Sequence, residues 1–92
     1  MTGESNTIES LMLQRAELIG KLSQATAEHM RILRVSSGID VLLMKQPQSP
    51  EDIKSKSETE ARITNSQSHV DMLEASLAVI DNNIETTLNS EA

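Results

Sequence analysis

Two seven-residue apolar repeats separated by the stretch QPQSP make this chain all-α: a long antiparallel helical hairpin, coiled-coil-like in its packing. Two such hairpins are expected to assemble into a dimeric four-helix bundle. Three observations lead to this fold. Leu11, Leu18, Ala25, Ile32 and Ile39 recur every seventh residue, and Ile63, Val70, Leu77 and Ile84 do the same. The only two prolines, Pro47 and Pro50, fall near the midpoint. None of the 92 residues is Phe, Tyr or Trp, so the core must come from aliphatic side chains, which suit a narrow helix–helix seam better than a wide interior.

The elements follow in chain order within a single domain, 1–92. Helix one is predicted over about residues 6–45. Ser5 or Thr7 can cap its start. Arg15, Leu22, His29, Ser36 and Leu43 each fall four residues after a member of the first series, so the seam has one apolar position and one mixed one. The turn is predicted at residues 46–50. Pro47 ends helix one, because the residue before a proline avoids helical geometry. Ser49-Pro50-Glu51-Asp52 then reads as a helix start: a capping hydroxyl, a proline at the first helical position, and acids that complement the helix dipole.

Helix two is predicted over about residues 51–89, with Ser66, Leu73, Ile80 and Thr87 lying three residues beyond its apolar series. Each helix would be about 55–60 Å long at 1.5 Å per residue. A short connection favours antiparallel neighbours. Folding about residue 48 sets Ile32 opposite Ile63, Leu22 near Leu73, Leu18 near Leu77 and Leu11 near Ile84. The predicted hairpin core is therefore Leu11, Leu18, Leu22, Ile32, Ile63, Val70, Leu73, Leu77, Ile80 and Ile84. Residues 54–69 hold only Ala61 and Ile63 as apolar residues, so this stretch is the weakest of helix two. His29 falls on the seam opposite Ser66 or Gln67, where a polar layer fixes register.

More apolar surface is present than one seam can bury. Ala16, Gly20, Ala27, Met30, Val41, Leu42 and Met44 on helix one, and Met72 and Val79 on helix two, lie off the main series. These form the candidate partner-binding set, because a hairpin this small needs further burial. A protein partner, first of all a second copy giving a homodimer, is the expectation.

Charge and chemistry narrow the function class. The chain carries 8 basic and 14 acidic residues, a net charge of −6. Residues 23–70 hold six acids and six bases, whereas residues 71–92 hold five acids (Asp71, Glu74, Asp81, Glu85, Glu91) and no base. Acidity and the lack of aromatic platforms argue against nucleic acid as a partner. The longest apolar run, Val41-Leu42-Leu43-Met44, is too short for a membrane span, and a cytoplasmic location is expected. There is no cysteine, the two histidines lack metal-ligand spacing, and neither a nucleophile motif nor a glycine-rich phosphate loop occurs. No catalytic, cofactor-binding or metal-binding residue is therefore assigned, and no enzyme activity is expected.

The reading that remains is a small acidic interaction module: an adaptor, inhibitor or small chaperone acting through helix–helix packing. Two alternatives come from other classes. Pro47-Gln48-Ser49-Pro50 resembles the proline-bracketed turn of the needle and inner-rod proteins of type III secretion, which are short helical hairpins. That resemblance covers the turn and helix two and implies a polymerising subunit; the lack of Tyr and Trp departs from the family. The acids from Asp71 onward suggest instead a mimic of nucleic acid of the kind encoded by some phages.

Overall fold

The computed structural model describes residues 7–91, with the side chain of Glu91 left aside. Ser5 and residue 6 lie outside the described residues. The fold is all-α: helix α1 (Ile8–Lys45) and helix α2 (Pro50–Glu91), folded back as a hairpin.

Each helix boundary has a local cause. At the start of α1, the Thr7 carbonyl accepts from the Leu11 amide at 2.9 Å. The Thr7 hydroxyl accepts from the Ser10 amide at 3.1 Å, which satisfies one of the four amides that a helix start leaves unpaired. The last turn of α1 closes with the Gln46 amide on the Leu42 carbonyl, 3.0 Å. Pro47 follows, and a tight turn returns the chain through the Ser49 amide on the Gln46 carbonyl, 3.1 Å. Ser49 then caps α2. Its carbonyl accepts from Ile53 at 3.0 Å and its hydroxyl from the Asp52 amide at 3.4 Å. Pro50 occupies the first helical position, where a missing N–H costs nothing. No non-glycine residue among those described has a positive φ, so the reversal depends on prolines and capping rather than on a left-handed residue.

The seam follows the seven-residue spacing closely. On α2, every residue between 50 and 90 that is not exposed falls on one of the two seam positions, with the single exception of Ser55. Residues 54–69, poor in apolar side chains, are helical throughout. Polar pairs across the seam fill that stretch. Lys56 Nζ donates to Ser36 Oγ at 2.8 Å and meets Asp40 Oδ1 at 2.7 Å. His29 Nδ1 and Ser66 Oγ are 2.5 Å apart, and Ser66 Oγ also bonds the Ile63 carbonyl at 3.1 Å.

The chain contacts group into two compact units. The first comprises Met1–Gln24 and Asp71–Ala92, the second Ala25–Val70. The first is packed on Leu11, with Leu18, Leu22, Leu73, Leu77, Ile80 and Ile84 half-buried around it. In the second, Ala25, Ile32, Ile39 and Val70 are buried with two polar residues, Ser36 and Thr59, and Ile63 is half-buried.

Candidate interaction surfaces

Each unit has two flanks, one on either side of its seam, and the side chains there decide what the hairpin can hold. In the second unit, one flank carries an open hollow of about 560 Å³. Val35, Ile39 and Leu42 form its α1 wall; Asp52, Ser55, Glu58, Thr59 and Arg62 form its α2 wall. The α1 wall is apolar because residues 35, 39 and 42 are spaced by four and three, which puts them on one helix face. Val35 and Leu42 are exposed although large and apolar. Arg62 approaches Glu28 at 3.9 Å on this flank, and Glu28 also pairs with Arg31. A Cβ at Gly38 would meet nothing within 4 Å, so another backbone can come close there.

In the first unit, one flank holds a hollow of about 410 Å³ lined by Gln14, Glu17, Leu18, Lys21, Ser76, Val79 and Ile80. The other flank is spanned by the ion pair of Arg15 Nε with Asp81 Oδ1, 2.7 Å. A third hollow, about 400 Å³ and mostly apolar, opens beside Ile8, Glu9, Met12 and Leu13.

The residues assigned from sequence to partner binding divide between the units. Ala16, Gly20, Met72 and Val79 lie in the first; Ala27, Met30, Val41, Leu42 and Met44 lie in the second. All are exposed, and Met44 reaches 81 %. Leu42 and Val79 line hollows, whereas the others stand on outward faces. Met12, Leu13, Ile19, Val35, Ile53 and Leu88 are also large, apolar and exposed, and the spacing argument did not single them out. For all but Leu13 the available signal was a place immediately beside a seam residue, as Met12 follows Leu11 and Ile19 follows Leu18.

Among the described residues, no group of His, Asp and Glu could hold a metal ion, and no helix is long and apolar enough to cross a membrane. The architecture is that of a small helical-hairpin module of a kind suited to protein interaction. Comparisons with protein-family models, curated proteins and solved structures gave no match.

Proposed function

We propose that this chain is a non-enzymatic interaction module that works by helix packing, and that its first partner is a second copy, two hairpins closing into a four-helix bundle. Within such a bundle it would serve as an adaptor, inhibitor or small chaperone. The observation that carries this reading is the uncovered apolar wall of Val35 and Leu42 beside the open space at Gly38.

Two physical arguments support a second copy as the occupant. The apolar residues buried within the hairpin are few (Leu11, Ala25, Ile32, Ile39 and Val70 among the described residues), and none is a fully buried large side chain. A core that small gains from covering more aliphatic surface. Charge also matches. An antiparallel pairing of two α1 helices about Gly38 sets Val35 of one copy against Leu42 of the other. It also carries the Arg31 and Arg34 end of one copy toward the Asp52 and Glu58 wall of the other, opposite charges that favour this register.

Sedimentation velocity over a concentration series, with Val35→Glu/Leu42→Glu alongside, tests this reading. A discrete dimer that becomes a monomer in the double variant is the expected result. A monomer at every concentration would refute self-association. Open-ended growth would refute the closed bundle and favour a polymerising subunit.

A further inference from the structure

We infer that the Arg15–Asp81 flank of the first unit is a docking site for an amphipathic helix of another protein that carries an apolar stripe edged with Lys or Arg. This inference rests on the helix-packing reading above and names a partner for a different surface of the same module.

The site is built from two facing stripes. On α1, Met12, Ala16 and Ile19 are spaced by four and three residues and so share a face; all three are exposed, Met12 at 52 % and Ile19 at 42 %. Met12 and Ile19 each follow a seam residue, Leu11 and Leu18. On α2, Glu74, Asp81 and Leu88 each follow a seam residue, Leu73, Ile80 and Thr87. In an antiparallel helix pair, these two rows border the same side of the seam. The ion pair of Arg15 with Asp81 crosses that side. Asp71 and Glu85 extend the α2 stripe at helical spacing, with Ala78 between them.

One wall is therefore apolar and uncharged from Met12 to Ile19 apart from Arg15 at its inner edge and Glu17, which lines the opposite hollow. The other wall is acidic, and residues 71–92 contain no base. Arg15 is engaged by Asp81, while Glu74 and Glu85 make no ion pair among the described residues. The mostly apolar hollow lined by Ile8, Glu9, Met12 and Leu13 continues the α1 wall and has room for a partner side chain.

This pairing of walls selects the occupant. A third helix can lie in the groove between two helices, with its apolar stripe on Met12 and Ile19 and its basic edge over Glu74 and Glu85. A second copy offers no matching row of cations. Its six bases between residues 23 and 70 are interspersed with six acids, and Lys56 and Arg62 are already in ion pairs. An anionic membrane surface would be repelled by the acid stripe.

The test uses a fluorescently labelled peptide of about three heptads, with Leu on the stripe and Lys on its edges. Two control peptides accompany it: one with Glu in place of Lys, and one with the same composition scrambled so that no stripe forms. Anisotropy titrations against the full chain are compared with Glu74→Lys/Glu85→Lys and Met12→Ser/Ile19→Ser, after far-UV circular dichroism confirms that each variant keeps its helix content. The expected result is binding of the Lys peptide alone, weakened about tenfold or more in each double variant. Equal binding of the scrambled peptide, lost on adding salt, would overturn the proposal in favour of bare acidic mimicry of a phosphate backbone. Unchanged affinity in both variants, or no binding of any peptide, would also overturn it. Self-association is read separately, on Val35 and Leu42, so the two ideas can fail independently.

Discussion

Thr59 and Ser36 are buried to a similar degree, 5 % and 7 % exposed, but only one of the two hydroxyls has a partner. Ser36 Oγ accepts from Lys56 Nζ at 2.8 Å. The Thr59 hydroxyl makes no hydrogen bond among the described residues and keeps only slight contact with solvent. Truncating the two should therefore move stability in opposite directions. Thr59→Val keeps the shape and exchanges a poorly satisfied hydroxyl for a methyl. Thr and Val have similar helix propensities, so that contribution cancels. Burying a methyl stabilises by about 0.8 kcal/mol, and relief of the partly desolvated hydroxyl adds a comparable amount at most, for a net gain of about 0.5–1.5 kcal/mol. Ser36→Ala removes a charge-assisted hydrogen bond, nominally about 1.5–3 kcal/mol. Lys56 retains Asp40 at 2.7 Å, and alanine recovers about 0.5 kcal/mol of helix propensity, so the expected loss is about 1 kcal/mol. Both are read by urea denaturation followed by circular dichroism, at one protein concentration so that any association acts equally on each variant. In a thermal scan the pair should separate by roughly 4–8 °C per kcal/mol for a domain of this size. A destabilised Thr59→Val would refute the reasoning, because it would mean that the hydroxyl has a stabilising partner. So would two shifts of the same sign.

Two further expectations concern exposed positions. At Gly20, a Cβ would meet nothing within 4 Å, so Gly20→Ala should raise the urea midpoint by the equivalent of about 1 kcal/mol, the helix-propensity difference alone. A smaller or opposite change would show that the site is covered in solution. The Arg15–Asp81 pair, with side chains 42 % and 47 % exposed, should give a coupling of about 0–1 kcal/mol in a double-mutant cycle, declining as salt is added. A large coupling insensitive to salt would contradict its exposure.

The hairpin was legible because the period of Leu11, Leu18, Ala25, Ile32 and Ile39 and the two prolines are strong local signals, and because a seam needs only spacing to be recognised. The flanks were harder. Which side chains share a hollow depends on how residues of α1 pair with residues of α2 in the antiparallel register, which neither helix's own pattern shows alone. Val35 and Met12 look alike in a hydropathy pattern, yet one borders the acidic wall of Asp52 and Glu58 while the other stands at an apolar opening with Ile8 and Leu13. Apart from Ser66, the polar residues of 54–69 were legible only as a weakness. Folding about residue 48 did set His29 opposite Ser66, as the structure has it, whereas Lys56 reaching Ser36 and Asp40 is a pairing between distant residues that no local window contains. The acid stripe of α2 was visible as composition; its placement beside Met12 and Ile19 needed the antiparallel register.

The strict spacing of the buried residues on α2 also bears on how such a chain can change. Because two positions in each seven hold the helix in place and Ser55 is the one other position not exposed between residues 50 and 90, most of the letters open to recognition are not those that direct folding. Substitutions at the remaining positions can rewrite charge and shape on either flank while leaving the seam untouched. A hairpin organised in this way can trade one partner for another by drift at its outward residues, with no intermediate that must first lose its fold.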